Sequence, residues 1–586
     1  MLHRRTVGTS LTIFGARPDA LAPAAAFVGV CVLALASPFE LTRPLVQLPW
    51  QSISSLEVVL FVVFVTWLSA LVWSRDRIRW DTALTAPWTA LLAAMCIAAI
   101  AAPVGRMNAL HMAGRAVVAF AVYLLTVNGL TTPARLERAL IAVLTAGLAV
   151  AVLAILEYYQ FRPVLHWLEA FRPYQTAVGS QVRAGGSLQY PTIASMYLEI
   201  VFACGLGLML AALDASRRAW GMAVFVALVL VADAIVVTFT RAGLLTMATS
   251  LAIVGAGRYR RRAADSGVRV VVALALVVAA LFFASRSTQS VWLRLTSEGQ
   301  EAWYRFAIDA PPDVDLPSGG ISKIPVRVTN TGRLTWDSRA DPPIYLSYHV
   351  LLDDADRVVS FDGARTSFPT PVEPGASISM QADVRAPRAP GRYRLAWDVV
   401  QEGRLWFSTE PDADLTTFSR ANVSGSFAAG GRPATTPLPR RAVRPGRLLL
   451  WKAAARMIAA HPILGVGPDN FRLLYGEYAG LAGADPRMHS NDMYIEVIAG
   501  CGLLGGLALA GLLWRAAGCV VTGLGAAPDW RLSLALGIAA AGVAIVLHGV
   551  VDSFLSFTPT YVLISMTLGF AVASAHGGTQ VDAHHV

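Results

Sequence analysis

The sequence predicts an all-α, multi-pass membrane protein of about twelve transmembrane helices with one β-sandwich inserted outside the membrane. Two observations lead to this fold class. Hydrophobic residues make up 55% of the 586 residues and charged residues only 15%. A soluble globular protein of this size would contain more polar residues. The apolar residues also come in long blocks, except between residues 310 and 424, where short alternating runs typical of β-strands replace them.

Twelve apolar blocks are long enough, or nearly so, to cross about 30 Å of hydrocarbon as helices. They cover residues 21–36, 56–73, 88–102, 112–130, 140–158, 193–213, 220–239, 242–256, 268–284, 494–514, 532–551 and 560–575. We expect the first block to be retained rather than cleaved as a signal peptide, because further apolar blocks follow it at once. The chain then divides into N-terminal membrane helices (1–285), the sandwich (310–424), a linker and helical segment (425–490) and C-terminal membrane helices (491–586).

The arginines of the short loops predict the orientation. Every even-numbered gap between the apolar blocks is basic, for example at Arg75, Arg135 and Arg217, and such loops face the cytoplasm. Both termini are therefore expected inside and the large insertion outside. The formal net charge of +10 is spread over separate loops, so it is mostly a topology signal and gives little support to a nucleic-acid partner. Membrane lipids are expected partners because the chain is a polytopic membrane protein.

The inserted segment carries the signs of an immunoglobulin-type sandwich. Alternating runs at 324–329, 344–350, 378–384 and 393–400 are separated by Gly- and Pro-containing turns. Residues 328–336 and 390–393 resemble immunoglobulin-like modules that accompany carbohydrate-handling proteins. Trp336, Trp397 and Trp406 are candidates for stacking on sugars, but packing inside the sandwich is the favoured interpretation.

Arginine and histidine at the outer ends of apolar blocks are the first site candidates. Arg241 opens an apolar run and His489 precedes another. An arginine at the membrane centre costs roughly 2.5–3.5 kcal/mol, so it is normally kept for an anionic ligand or a structural partner. A third arginine, Arg183, lies in an outer gap rich in aromatic residues, where either an anionic, partly apolar ligand or an interfacial anchor explains the pattern.

A set of motifs resembles the signature of the O-antigen ligase and O-antigen polymerase superfamily. These are Arg447, Trp451, His461, Pro462, Gly465, Gly467, Phe471, His489, Asn491, Tyr494, Glu496 and residues 502–505, together with Arg241, Leu245, His548 and Asp552. The resemblance covers the membrane part and the helical segment after the linker, and the sandwich is an insertion that ordinary members lack.

The resemblance implies a metal-independent glycosyltransferase without a cofactor in the inner membrane of a bacterium. Its donor would be a glycan on undecaprenyl diphosphate, and its acceptor a lipid or glycan at the periplasmic face. His489 would be the base that takes the acceptor proton. Arg241, Arg447, Arg183 and Asn491 would bind substrate, since arginines stabilise a diphosphate leaving group. His548, Asp552 and Glu496 would support them.

Several alternatives stay open at this point. His489 and its neighbours could simply cap the next helix, and Arg241 could reach a lipid headgroup. A divalent metal at His489, Asp492 and Glu496 is a further alternative, although the surroundings are basic. The activity could be ligation of a finished polysaccharide or polymerisation of repeat units, and a transporter with a sensory sandwich is a more distant reading.

Overall fold

The computed structural model describes residues 21–48, 51–172, 175–178, 181–261, 265–284, 303–340, 342–353, 357–402, 405–409, 417–425, 436–437, 445–481, 484–526 and 529–576. Its helices are α1 (Leu21–Ala36), α2 (Ser55–Ser74), α3 (Thr85–Ala101), α4 (Arg106–Gly129), α5 (Pro133–Tyr158), α6 (Arg162–Leu168), α7 (Pro191–Asp214), α8 (Arg218–Val237), α9 (Arg241–Arg261), α10 (Ser266–Ala284), α11 (Arg447–Ala460), α12 (Phe471–Ala479), α13 (Met493–Ala526), α14 (Asp529–Gly549) and α15 (Thr558–His576). Most of the predicted linker lies outside the described residues.

Each of the twelve predicted blocks coincides with a helix. Nine of the described helices are long and apolar enough to cross a membrane: α2, α4, α5, α7, α8, α10, α13, α14 and α15. The helices α1 and α3 are apolar but shorter. The remaining predicted block, residues 242–256, lies in α9. The structure therefore establishes a multi-pass helical body, whereas the count of about twelve spans stays a prediction.

Loop contacts show that the helical body has two distinct ends. At one end, which we call the site end, backbone and side-chain hydrogen bonds join Thr42 to Ala170, Ala184 to Val237, and Asn470 to Val104. At the other, the basic end, Arg217 binds Glu137, and Arg258 binds Asp214 and Asp265. The odd-numbered predicted gaps thus lie together at the site end and the even-numbered ones at the basic end. Which end faces the cytoplasm remains the charge-based prediction.

The central helix α7 packs closely against α14 because glycines face each other where they cross. A Cβ on Gly207 would lie 2.8 Å from the Ser533 carbonyl oxygen, and one on Gly537 would lie 2.8 Å from the Gly207 Cα. Small residues at such a crossing let two backbones approach in a membrane. The close approach brings polar side chains of α7 and α14 into contact nearer the site end.

The β-rich insertion consists of two sheets. Two short hairpins occur earlier in the chain, between helices: β1 (Val46–Leu48) with β2 (Gln51–Ile53), and β3 (Thr176–Val178) with β4 (Gln181–Arg183). The strands of the insertion are β5 (Phe306–Asp309), β6 (Asp313–Pro317), β7 (Ile321–Asn330), β8 (Ile344–Leu352), β9 (Arg357–Ser360), β10 (Thr366–Ser367), β11 (Ser377–Arg385), β12 (Gly391–Gln401), β13 (Leu405–Trp406), β14 (Phe418–Ser424) and β15 (Thr436–Pro437). The larger sheet runs β15-β9-β8-β12-β14-β6 and the smaller β11-β7-β5. The pairs are antiparallel except β14 with β6.

One hydrophobic core joins the two sheets. Trp336 and Trp397 are fully buried in it, as the favoured interpretation of the sequence expected. The Tyr393 hydroxyl donates to the Ala389 carbonyl, four residues earlier in the chain, at 2.9 Å. This contact is similar to the tyrosine corner of immunoglobulin domains. Strand β5 begins at Phe306, a few residues before the predicted boundary. The structure establishes a separate β-rich region, and its immunoglobulin type stays a prediction.

Candidate functional site

Glycines of the predicted signature shape the loop that leads to the site. Gly502 interrupts α13 with φ 64° and ψ −166°, a conformation that only glycine adopts readily. A Cβ there would lie 2.1 Å from the Ile463 carbonyl oxygen. The kink leaves the carbonyls of Ala499 and Gly500 free to accept from the backbone N–H groups of Val466 and Gly467 at 2.9 and 2.8 Å. The loop after α11 is therefore fixed directly onto α13.

Two asparagines then tie this loop to the start of α4. The buried Asn470 amide donates to the Val104 carbonyl at 2.7 Å and to the Val466 carbonyl at 3.0 Å. The Asn108 amide donates to Asn470 Oδ1 at 3.0 Å and to Asp469 Oδ2 at 3.1 Å. Arg472 donates to the same Asp469 oxygen at 2.9 Å. The Asp469 carboxylate is thus held in one orientation next to the histidine loop.

His489 forms a hydrogen-bonded pair with a carboxylate. His489 Nδ1 lies 3.1 Å from Glu496 Oε1, and Glu496 Oε2 accepts from the Ser490 N–H at 2.8 Å. The Ser490 carbonyl in turn accepts from the Trp451 indole N–H at 3.1 Å. With Nδ1 donating to Glu496, Nε2 of the ring carries the lone pair. Histidine and carboxylate in this arrangement are typical of a positioned general base.

Charges around His489 favour its protonated form. Burial alone would lower the pKa of His489, but the hydrogen bond to Glu496 and the nearby carboxylates of Glu496 and Asp469 outweigh burial and raise this pKa above its ordinary value. Asp469 Oδ1 lies 4.0 Å from His489 Nδ1. We call Asn108, Asp469, Arg472, His489 and Glu496 the His489 cluster.

The same cluster is the one group of the described residues with ligand atoms arranged for a metal ion. Atoms of Asp469, His489 and Glu496 all lie within 4.8 Å of one another. The sequence-based alternative named Asp492 in place of Asp469. In the structure Asp492 Oδ1 accepts from the Ile495 N–H at 2.8 Å and so caps α13. Arg472 on Asp469 supplies a positive charge where a cation would sit.

A second polar group, the Glu199 cluster, lies buried between α7 and α14. His548 Nδ1 lies 2.9 Å from Glu199 Oε2, and the Ser195 hydroxyl donates to Glu199 Oε1 at 2.6 Å. His548 and Glu199 are each 1% exposed. The Nδ1 of His548 is directed to Glu199, and the Asp552 N–H donates to the His548 carbonyl at 3.1 Å where α14 ends.

Arg183 is bound to the turn that precedes Arg241 and α9. Arg183 Nε donates to the Thr238 carbonyl at 3.1 Å, and its Nη2 to the Thr240 hydroxyl at 3.4 Å. Burial lowers the pKa of Arg183 to about 10, although the negative charge of Asp552 acts to raise it. The exposed Arg241 follows Thr240 directly and begins α9.

Gly243 allows this end of α9 to approach the Glu199 cluster. A Cβ on Gly243 would lie 2.2 Å from the Ser195 hydroxyl and 3.1 Å from Glu199 Oε1. Any larger residue would push α9 away, and Arg241 is only two positions earlier. The absence of a side chain at Gly243 therefore has a steric basis.

Arg447 lies within electrostatic range of Asp492 and of His548. Burial raises the pKa of the Asp492 carboxyl, and the Arg447 guanidinium is near enough to oppose this change. Arg447 also lies within electrostatic range of His548 and is itself exposed at the start of α11. Asn491 adopts a left-handed backbone with φ 54° between the histidine and the helix cap. That Arg241, Arg447 and His489 line one cavity stays a prediction.

Sequence reasoning missed Asn108, Asp469, Arg472, Ser195 and Glu199. Asp469 and Asn470 stand inside the recognised signature, but no period or spacing marks them as partners of His489. Glu199 carried a usable signal, because an acidic residue inside an apolar span is costly and normally functional or paired.

An apolar cavity of about 390 Å³ lies within the helical body. It is lined by side chains of α3, α4, α13, α14 and α15, with Arg115 among them. Such a space between membrane helices suits a hydrocarbon chain.

Fold and site define a multi-pass membrane protein with a histidine–carboxylate site at one end of its helices and a β-rich insertion. A family model described as O-antigen ligase matches residues 439–510, a segment that runs from before α11 into α13 and contains His489 and Glu496. The match confirms the predicted resemblance to the O-antigen ligase superfamily. That family implies a glycosyltransferase-like membrane enzyme with a lipid-linked glycan donor and an acceptor. No curated protein matches the chain significantly.

Proposed function

We propose that the protein transfers a glycan from undecaprenyl diphosphate to an acceptor at the periplasmic face of the bacterial inner membrane, in the manner of an O-antigen ligase. The observation that carries this proposal is the His489–Glu496 pair, 3.1 Å apart, inside the segment that matches the family. Repeat-unit polymerisation uses the same chemistry and is the alternative.

His489 is assigned as the base. An acceptor hydroxyl must lose its proton as it attacks the anomeric carbon, and a histidine in this role contributes typically about 10²–10⁴ in rate. Glu496 holds the ring with Nε2 free and stabilises the imidazolium that forms. Asp469, held by Asn108 and Arg472, adds a second negative charge beside that imidazolium.

The arginines are assigned to the donor diphosphate. Breaking the bond between sugar and diphosphate develops negative charge on the leaving group, and fixed guanidinium groups stabilise it by paired hydrogen bonds. Arg183 binds the turn that leads into Arg241 at the start of α9, and Arg447 lies within electrostatic range of Asp492 and of His548. Asn491 is assigned to substrate binding beside them, with the Glu199 cluster and Asp552 as support.

A metal at Asp469, His489 and Glu496 is the competing mechanism, since their ligand atoms lie within 4.8 Å of one another. It would occupy the His489 nitrogen that faces Glu496 and would place a cation next to Arg472. The arginine mechanism needs no metal, so the two are separated by chelation.

Reconstitution of the full chain tests the function. Purified protein in lipid nanodiscs receives a labelled undecaprenyl-diphosphate glycan with and without a lipid A-core acceptor. Ligation attaches label to the added acceptor, whereas polymerisation lengthens the glycan on undecaprenyl diphosphate without it. Neither product, with donor intact and the protein folded, would refute the proposed function.

A further inference from the structure

Two cavities of opposite character adjoin in the helical body. A polar pocket of about 280 Å³ is enclosed by the loop after α1, the beginning of α2, the loop before α7 and residues 556–559. The apolar cavity of about 390 Å³ lies among α3, α4, α13, α14 and α15. Small-molecule sites measure about 300–1,000 Å³, so each space is of a size to hold part of one ligand.

Arg115 marks the place where the two cavities meet, because its side chain lines both of them. The chain segment that leads into α15 passes between them as well. Leu555 lines the apolar cavity, residues 556–559 line the polar pocket, and Tyr561 lines the apolar cavity again. A side-chain hydrogen bond joins Thr558 of the pocket to Tyr561 of the cavity. The two spaces together therefore match a ligand with a polar head and an apolar tail.

The Arg115 guanidinium has donors left for a ligand. Among the residues that the structure describes, its hydrogen bond is the one from Nη1 to the Ser556 carbonyl at 3.1 Å, and the Arg115 side chain is exposed. A guanidinium carries five N–H donors in a planar fork that suits phosphate. Arg115 can thus bind a phosphate group and keep its contact to Ser556.

Two carboxyl groups of the polar pocket, Glu40 and Glu57, favour a positive group on the same ligand. Burial and the charge of Glu57 raise the pKa of Glu40, although hydrogen bonds from Ser54 and Thr558 act to lower it. An ammonium group beside the two carboxyl groups would offset their mutual repulsion. With Arg115 at the same pocket, a headgroup that carries both phosphate and ammonium fits better than a purely anionic one.

The apolar cavity is accessible from the hydrocarbon of a surrounding bilayer. Val521 of α13 and Val543 and Val546 of α14 line it and are exposed on the helical body, where apolar side chains of membrane helices contact lipid. The hydroxyls of Ser565 and Thr567, which also line it, donate to carbonyls of their own helix. An acyl chain can therefore enter from the side of α13 and α14 and meet an apolar wall.

We propose that the two cavities together bind one phospholipid of the phosphatidylethanolamine type. Its phosphate contacts Arg115, its ammonium group lies beside Glu40 and Glu57, and an acyl chain occupies the apolar cavity. A purely anionic headgroup leaves the two carboxyl groups without a counter-charge, and a choline headgroup has no N–H donors for them. This lipid site does not depend on the proposed function, since it needs neither donor nor acceptor glycan.

Native mass spectrometry of the full chain in detergent tests the headgroup preference. Phosphatidylethanolamine, phosphatidylcholine and phosphatidylglycerol with identical acyl chains are added at equal concentration, and the bound fraction of each lipid is measured. Phosphatidylethanolamine should bind about three- to tenfold more tightly than either of the others, the range for a partly exposed charged hydrogen bond. Equal binding of the three lipids, or preference for phosphatidylglycerol or phosphatidylcholine, would overturn the proposal.

Headgroup variants test the assigned contacts. Arg115→Ala should weaken phosphatidylethanolamine binding about three- to tenfold, whereas Arg106→Ala, at an exposed arginine in the first turn of α4, is the matched control and should bind like the parent. Glu40→Gln should reduce the preference for phosphatidylethanolamine over phosphatidylglycerol. An unchanged preference in a folded Glu40→Gln protein would contradict the placement of the ammonium group.

A tail variant tests the apolar cavity independently. Ala116 lines the cavity, so Ala116→Phe should place a ring in it and weaken all three lipids. Val117 is 50% exposed, and Val117→Phe is the control of equal bulk that should bind like the parent. Circular dichroism and the melting temperature identify folded variants. If one variant does not fold, the other carries the test, and unchanged lipid binding in a folded Arg115→Ala or Ala116→Phe protein would overturn the proposal.

The lipid-linked donor is the competing occupant of the two cavities. Undecaprenyl-diphosphate glycan added to the lipid-bound protein should leave phosphatidylethanolamine in place. Displacement of the phospholipid by the donor would assign the cavities to the donor and refute the proposal. Retained headgroup preference in a protein that transfers no glycan would refute the proposed function alone.

Discussion

Replacing Glu496 with glutamine should slow glycan transfer while leaving the protein folded. In the parent protein His489 Nδ1 lies 3.1 Å from Glu496 Oε1. Glutamine keeps the size of the side chain and can still accept a hydrogen bond from His489 Nδ1, but it removes the negative charge. The imidazolium that forms during proton transfer then loses its closest counter-charge.

The size of the effect follows from the burial of the pair. A hydrogen bond to a charged group contributes about 1.5–3 kcal/mol, and solvent screening is small because the His489 and Glu496 side chains are only 16% and 11% exposed. At 1.36 kcal/mol per tenfold in rate, the loss is about ten- to a hundredfold.

The pH profile gives an independent readout. The pKa of His489 is raised in the folded protein, so the neutral base appears only as pH rises through that raised value, and transfer should rise with it. Glu496→Gln lowers this pKa, and the rise should move to lower pH. The stability from the pair is fully present below the unfolded pKa and is lost as pH rises through the folded pKa.

The assay is the initial rate of transfer in nanodiscs across the neutral range, at saturating donor and acceptor. Asp383→Asn, a change in the β-rich region, is the control for removing one carboxylate elsewhere. A Glu496→Gln protein with the parental rate and the parental pH profile would refute the assigned role of the pair.

Three further predictions concern topology, donor binding and the insertion. A cysteine replacing the exposed Ser360 should react with a membrane-impermeant thiol reagent from the periplasmic side, and labelling only from the cytoplasm would reverse the orientation. Arg447→Ala should weaken donor binding and turnover and lysine should restore only part of both, because lysine lacks the bidentate fork; full activity of Arg447→Ala would remove it from the site. Tyr393→Phe should lower hydrogen-exchange protection of residues 306–424 about two- to tenfold by loss of the hydroxyl contact to Ala389, and unchanged protection would show that this contact contributes nothing.

The sequence predicted the helices well because long apolar blocks leave few alternatives. The first helix begins and ends where expected, and the others differ mainly by added polar turns, such as residues 133–139 of α5. The kink of α13 could not be read from hydropathy, since Gly502 lies inside a continuous apolar run. It depends on the loop around Ile463 packing against it.

The site was harder to predict than the fold because its contacts join distant parts of the chain. His489 and Glu496 share a short segment and both were named. Glu199 and His548 are 349 positions apart, and Asn108 and Asp469 are 361 apart, so no local pattern connects them. The β-rich region begins at Phe306 rather than at 310 because the first strand has too few residues to show alternation.

The most direct test of the central claim compares His489→Ala with His111→Ala, an exposed histidine of α4, in the nanodisc transfer assay with and without a chelator. We predict that His489→Ala loses about 10²–10⁴ in transfer rate while labelled donor still binds, that His111→Ala keeps the parental rate, and that chelation changes neither the parent nor the control. Near-normal product from a folded His489→Ala protein would contradict the assignment of the base. Transfer by the parent that stops on chelation and returns with a divalent ion would instead make Asp469, His489 and Glu496 a metal site.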